Sequence, residues 1–319
     1  MKTPELKPLL AERMKKLLPN EKDFESFLEI LKKPTQNSIR VNTLKISPEE
    51  LKTRLGKKGW IIKQPYKEYP EIMIVENTIA PGELGRSLEH LLGYYYVQEI
   101  ASMLPVLVLK PKPHETILDL CAAPGSKTTQ IASKMNNTRL IIANDVNLGR
   151  RRILATNLER CGISNTIITR KQGFDLCKKL KQQGFLFDKI LLDAPCSGEG
   201  TLRSSLATYK MWNIKSVKNL SNIQKALLAS AIELLKPNGE IVYSTCTHSP
   251  EENEEVIDFI LKKFDNIKIE SIQLPVKCRP GIIKWGNKDY SEDVEKSCRI
   301  YPQDNNTEGF FIAKLRRVK

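Results

Sequence analysis

Thr116-Ile117-Leu118-Asp119-Leu120-Cys121-Ala122-Ala123-Pro124-Gly125-Ser126-Lys127 is the stretch on which the fold turns. Its first half is a continuous apolar run, the pattern of a strand buried on both faces, and its second half is a turn of small residues running straight into a helical pattern at Thr128–Met135. Further apolar runs follow at Leu140–Asp145, Thr166–Thr169, Lys189–Asp193 and Glu240–Cys246. Helical patterns separate them at Leu148–Arg160, Leu176–Gln182 and Ser221–Leu235; in the last, Ser221 and Gln224 read as a capping box and Lys236-Pro237-Asn238-Gly239 as a stop. This alternation predicts an α/β protein with a doubly wound parallel sheet covered on both faces. Gly309–Leu315 reads as a closing antiparallel strand at the sheet edge.

Upstream the pattern differs. The first 36 residues carry apolar side chains at three- and four-residue spacing (Leu6, Leu9, Leu10, Met14, then Phe24, Phe27, Leu28, Leu31). Ser38–Leu44 alternates like a strand, Ser47-Pro48-Glu49-Glu50 opens a helix, and Trp60–Ile62 and Ile72–Val75 read as further strands. The expected division is a small α+β module at residues 1–85 and a larger catalytic domain at 86–319.

The bulk numbers fit a globular protein: 319 residues, 40% hydrophobic and 28% charged. No run approaches the roughly 18 apolar residues of a membrane span, and Met1–Glu5 lacks the core of a secretory signal. Seven cysteines, odd in number and without a C-x-x-C pair, favour neither a disulfide framework nor a zinc site. A cytoplasmic protein is expected. The net charge of +14 suits a polyanionic partner. Arg150-Arg151-Arg152 and Lys57-Lys58 are candidate contacts, read equally well as solvated charges.

In doubly wound folds, ligands bind beyond the carboxyl ends of the strands. Small residues at 121–127 let backbone approach a ligand, and the following helix N-terminus favours an anionic group. Asp145, ending the second strand, suits the hydroxyls of a ribose. The loop lacks the glycine pattern of a dinucleotide site and the spacing of a phosphate loop. A tight turn without a ligand stays open as the alternative.

Two thiols sharpen the reading. Cys196 follows Asp193-Ala194-Pro195, Cys246 sits in Ser244-Thr245-Cys246-Thr247, and both stand past strand ends on one sheet edge. A pyrimidine ring is a poor nucleophile at carbon 5 until a thiolate adds to carbon 6, which is covalent catalysis. Such chemistry needs a reactive cysteine, a group at the base edge and a means of ejecting the adduct. Asp193 is placed for the base edge. Cys121, Cys161, Cys177, Cys278 and Cys298 read as small buried apolar residues.

These residues carry a family resemblance. Ser38–Lys45, Tyr96-Val97-Gln98-Glu99, Cys121–Lys127, Asn144-Asp145, Asp193–Thr201, Ser244–Thr247 and Glu308-Gly309-Phe310-Phe311 resemble the RNA cytosine-5 methyltransferases of the Nol1/Nop2/Sun family. The resemblance implies a Rossmann-like core that uses S-adenosylmethionine, with an RNA-binding module in front; no metal is expected from the cysteine pattern. It implies that Cys246 is the nucleophile, that Cys196 assists product release, and that Asp193 belongs to the site. It places the cofactor against Cys121, Ala122, Ala123, Pro124, Gly125, Ser126, Lys127, Asp145, Gln172 and Asp193. Gln172 stands where the family usually has an Asp before Gly, with Asp175 three residues on. The chain ends soon after the Gly-Phe-Phe strand, as in compact archaeal-type tRNA enzymes. The expected partner is therefore tRNA, with rRNA second, for a monomer that binds no membrane. An amino-group methyltransferase would show an aromatic residue where Cys196 stands. A non-catalytic RNA-binding protein is the alternative from another class.

Overall fold

A computed structural model describes residues 5–318; Met1–Pro4, part of the amino-terminal reading, lies outside the described residues. The chain opens with α1 (Pro8–Leu17) and α2 (Glu21–Leu31), the latter capped by Asn20, whose side chain accepts from Asp23 N. Next come β1 (Asn37–Val41), α3 (Pro48–Gly56), β2 (Ile62–Lys63) and β3 (Ile72–Val75). Ser47 caps α3 as its sequence signals, accepting from Glu50 N. Two single turns, α4 (Glu83–Arg86) and α5 (Leu88–Leu91), lead to β4 (Tyr95–Val97). The small antiparallel sheet has the order β2-β3-β1-β4 and packs Ile39, Val41, Met73 and Tyr95 against Leu51 and Leu55 of α3. It closes at Val97, so its last strand lies beyond the expected division at 85.

The amino-terminal helices do not join that sheet. Leu10, Met14, Phe24 and Phe27 instead form a core with Leu202, Tyr209, Trp212, Val217 and Tyr301. The compact module expected from the first 85 residues is thus two pieces. Helical periodicity shows which face of a helix is apolar, not which distant surface it meets.

The large sheet begins after α6 (Ile100–Leu109), which is apolar on every side and buried except at Ser102. It is built from β5 (Thr116–Asp119), α7 (Ser126–Lys134), β6 (Leu140–Asn144), α8 (Leu148–Cys161), β7 (Thr166–Thr169), α9 (Gly173–Gln182) and β8 (Phe187–Asp193). It continues through α10 (Leu206–Met211), α11 (Ile214–Ile232), β9 (Leu235–Thr245), α12 (Glu254–Lys263) and β10 (Ile267–Glu270). Short strands β11 (Arg279–Pro280), β12 (Lys284–Trp285), β13 (Lys288–Asp289) and β14 (Cys298–Ile300) precede α13 (Pro302–Asn305) and β15 (Phe310–Arg317). The order is β11-β14-β15-β9-β8-β5-β6-β7, with β10 also paired to β15. β5 to β9 run parallel and β15 antiparallel to β9.

Alternation explains the two covered faces. Ile117, Ile141, Leu191 and Val242 point to the side of α6 and α7, whereas Leu118, Ile142, Ile190 and Ile241 meet α9, α11 and α12. The chain leaves β5 toward β6 and returns on its other side at β8, which opens a crevice at the carboxyl ends of these strands. No helix among the described residues is long and apolar enough to cross a membrane.

Three expectations need correction. β15 is not an edge strand, because β14 and β10 cover its outer side. The helix expected from Ser221 starts at Ile214, capped by Asn213; polar Ser221 and Gln224 imitate a cap because they face a polar site. Its expected stop at Lys236–Gly239 already belongs to β9. Cys278 and Cys298, expected as separate buried residues, form a disulfide. The segment before β11 folds back on β14, a contact that a separation of 20 residues does not announce.

Candidate active site

β5 ends at Asp119, and the chain turns at Leu120–Gly125 into α7. Ala122 N bonds Asn144 O at 2.8 Å, which fastens the turn to β6. Gly125 caps α7 at φ +105°, and a β-carbon there would stand 2.9 Å from Leu154 Cδ1. Glycine is therefore required twice over, by conformation and by space. Buried Arg40 of β1 donates to Gln98 Oε1, to Ser126 O at 2.7 Å and to Thr129 Oγ1 at 2.8 Å. The small sheet thus fixes the first turn of α7.

Two adjoining cavities lie along this turn. One of about 330 Å³ is lined by Gln98, Ser102, Asp119, Ser126 and Lys127. The other, about 440 Å³, is lined by Asp145, Gln172, Phe174, Cys196 and Cys246. Cys121, Arg150 and Asp193 line both. Gln172 lines the larger cavity, while Asp175 is exposed in the first turn of α9. Arg150, expected with Arg151 and Arg152 as a candidate nucleic-acid contact, lies in the wall of both cavities; its guanidinium is 3.3 Å from Asp145 Oδ2 and bonds Ala123 O. Lys58, of the other basic pair, is bound to Glu89.

The donors fit S-adenosylmethionine. Asp119 is fully buried, burial pushes its carboxyl up to about 7, and Thr128 Oγ1 donates to only one of its oxygens, at 2.7 Å. The other oxygen has no partner. An unpaired buried acceptor in a cavity wall calls for a ligand donor such as an ammonium group. Asp145 offers a carboxylate to hydroxyls, and the first N–H groups of α7 favour a carboxylate.

Asp193 ends β8 opposite Ser244 of β9. Lys127 Nζ donates to Asp193 Oδ2 at 2.7 Å, and Ser244 Oγ donates to Oδ1 at 2.8 Å. Lys127 is only 7% exposed and stands over the Phe310 ring, 5.4 Å from its centroid. A buried ion pair does little for stability, so its place at the junction of two cavities is better explained by ligands.

The loops after β8 and β9 bring Cys196 Sγ to 3.3 Å from Cys246 Sγ. The contact with Cys246 comes first and burial second in pushing the Cys196 thiol well above its usual range. Either sulfur can donate to the other across this contact. Gly200 N bonds Cys246 O at 2.8 Å and Gly309 N bonds Gly200 O at 2.9 Å. A β-carbon on Gly200 would lie 2.1 Å from Gly309 O, so the Gly-Phe-Phe strand and both cysteine loops meet at two glycines. Of the other free cysteines, Cys161 and Cys177 are buried and Cys121 is half-buried.

Sequence reasoning missed Asp119, Thr128 and Glu252. Glu252 is fully buried; burial pushes its carboxyl up to about 7 while Ser197 N and Gln224 Nε2 donate to it. Its only signal was a place in Ser249–Glu252, which reads as a helix start.

His248, next to the Cys246 loop, gives a pH signature. Burial, then Arg299 and Arg279, push its imidazole down to about 3, so it is neutral in the fold. Unfolded histidine titrates near 6.5, so the unfolded chain takes up the proton first and stability falls as pH drops below about 6.5. At pH 5 that loss amounts to about 2 kcal/mol. Urea unfolding of His248→Gln should therefore lose about 2 kcal/mol less than wild type between roughly pH 7.5 and 5. Equal losses would clear His248 of the effect.

Comparison with known proteins identifies the family. Residues 106–316 match the family model of the 16S rRNA methyltransferase RsmB/F, and residues 6–100 match the N-terminal domain of 16S rRNA methyltransferase RsmF. A tRNA (cytosine(49)-C(5))-methyltransferase of Pyrococcus abyssi is 44% identical over 97% of this chain and 96% of its own. Ribosomal RNA small subunit methyltransferase F of Vibrio atlanticus is 39% identical over 95% of this chain, which spans 62% of that protein. The crystal structure of NSun6 from Pyrococcus horikoshii with SFG, an S-adenosylmethionine analogue, superimposes with a TM-score of 0.82 at 27% identity, covering 98% of each chain. The chain belongs to the RsmB/F family of Sun-type, S-adenosylmethionine-dependent RNA cytosine-5 methyltransferases, and it carries the RsmF-type N-terminal domain.

Proposed function

We propose that this chain methylates carbon 5 of a cytosine in tRNA through a covalent adduct on Cys246. The observation that carries the reading is the thiol pair, 3.3 Å apart, beside the Asp193–Lys127 pair where the two cavities join. S-adenosylmethionine supplies the electrophilic methyl group when bound. Cys246 Sγ adds to carbon 6, and the electron pair of the ring double bond makes carbon 5 nucleophilic. Asp193 and Lys127 face the base edge with one acceptor and one positive charge, which offsets charge building on the ring. Once carbon 5 carries the methyl group, its proton leaves to water, the C–H pair restores the double bond, and the bond from carbon 6 to Sγ breaks. Cys196, as a neutral thiol, donates a hydrogen bond to the departing Cys246 sulfur and so assists release.

Residues 121–127, Asp145 and Gln172 would hold the cofactor in this reading, with Gln172 offering its side-chain carbonyl to the adenine amino group. The amino-terminal region contributes RNA contacts ahead of a catalytic domain that acts as a monomer. The higher identity to the Pyrococcus abyssi tRNA enzyme, 44% against 39% for the Vibrio atlanticus rRNA enzyme, supports tRNA over rRNA. Incubation with labelled S-adenosylmethionine and either a tRNA transcript or a 16S rRNA fragment, followed by bisulfite sequencing, tests it. We expect at least about tenfold faster methylation of the tRNA, a difference of roughly 1.4 kcal/mol in transition-state stabilisation. Faster methylation of the rRNA fragment would overturn the substrate assignment.

A further inference from the structure

Three consecutive residues leading into α12 reach the flanks of both active-site cysteines. Glu252 Oε2 accepts from Ser197 N at 2.9 Å and from Gln224 Nε2 at 2.9 Å. Gln224 Nε2 also donates to Pro195 O at 2.8 Å. Glu252 thereby holds both neighbours of Cys196, one directly and one through Gln224.

Asn253 does the same for Cys246. Its Oδ1 accepts from Thr245 Oγ1 at 2.6 Å, and its Nδ2 donates to Thr247 O at 3.0 Å. Glu254 binds Arg299 with both carboxylate oxygens at 2.5 Å, and Arg299 donates to His248 O at 3.0 Å. All three side chains are fully buried. Burying an amide and two carboxyl groups in a row costs free energy that apolar residues would not, so their retention points to a geometric task.

We propose that Glu252-Asn253-Glu254 is a clamp that sets the distance and orientation between Cys196 and Cys246. Asn253 positions the loop of the attacking thiol, Glu252 positions the loop of the releasing thiol, and Glu254 anchors the segment to β14 through Arg299. These are positioning residues, since none is placed to touch the base. The division of labour rests on the cysteine roles proposed above, whereas the clamp itself rests on hydrogen bonds alone.

Two measurements separate these layers. Diamide, a two-electron thiol oxidant, takes one hydrogen from each thiol and leaves a disulfide, so its rate of joining Cys196 to Cys246 reports thiol placement without RNA. Peptide mass mapping should show that linkage forming at least about tenfold slower in Glu252→Ala and in Asn253→Ala than in wild type, a difference of roughly 1.4 kcal/mol. Glu252→Gln should restore the rate, because its amide can donate to the partnerless Gln224 Oε1 while still accepting from Ser197 N. S-adenosylmethionine affinity, measured on each variant, verifies folding. Should an alanine variant fail to fold, Gln224→Leu, which leaves the Ser197 bond to Glu252 in place, and Asn253→Ser, which keeps a hydroxyl, read the same way.

Cross-linking at the wild-type rate in either folded alanine variant overturns the clamp. The second measurement is the fraction of RNA held covalently on a denaturing gel, which should fall in Asn253→Ala and rise in Glu252→Ala. Changes in the same direction overturn the division of labour. If the single cysteine variants run as controls show exchanged roles, the functional reading fails while the cross-linking rates still judge the clamp.

Discussion

Cys246→Ala protein is expected to bind RNA and S-adenosylmethionine yet lose methyl transfer by a factor on the order of 10⁴ or more, the scale seen when a covalent nucleophile is removed. Without sulfur addition at carbon 6, carbon 5 has no electron pair to offer, and positioning the methyl donor cannot replace it. Cys196→Ala should behave in the opposite sense. It still forms the adduct but releases it slowly, because the leaving sulfur has lost its neighbouring thiol donor. The variant should accumulate a slow RNA band on a denaturing gel, while Cys246→Ala shows none. Full activity in Cys246→Ala would falsify the nucleophile assignment, and an adduct in Cys246→Ala alone would exchange the two roles.

The second large effect is expected at the ion pair. Asp193→Asn leaves Lys127, 7% exposed, with a positive charge and no counter-ion. Removing one partner of a buried pair costs about 3 kcal/mol or more, so thermal unfolding should move down by several degrees. Activity should fall by roughly 10³, because the group at the base edge changes from a carboxylate to an amide. The double variant Asp193→Asn with Lys127→Met removes the stranded charge. It should recover most of the stability and none of the activity. Recovery of both would mean that the pair is structural only.

Much of this site was legible because its residues follow strand ends. Continuous apolar runs locate β5, β6, β8 and β9, and the residue after a buried parallel strand is delivered to one edge. Cys196, Cys246, Asp193 and Asp145 are found by that rule. Asp119 also ends its strand, but the apolar run reads on through Leu120 to Cys121, and nothing local shows that one of its oxygens is left unpaired. Glu252, Asn253 and Gln224 were hidden for a different reason. Ser, Asn, Glu and Gln around a helix start read as caps, and the same residue types serve a polar core. The packing of α1 and α2, and the Cys278–Cys298 bond, depend on tertiary contacts that no period in the sequence encodes.

That packing constrains how the chain can be made. Arg13 of α1 binds Glu251, 238 residues further along, at 2.6 Å, and Asp23 of α2 binds Arg279. The two helices therefore leave the ribosome with their apolar faces uncovered and stay so until most of the chain has followed. Contacts of such sequence separation form late and slowly. During synthesis, these helices emerge well before the residues they pack against, and that interval is when a chaperone or an aggregate would compete for them.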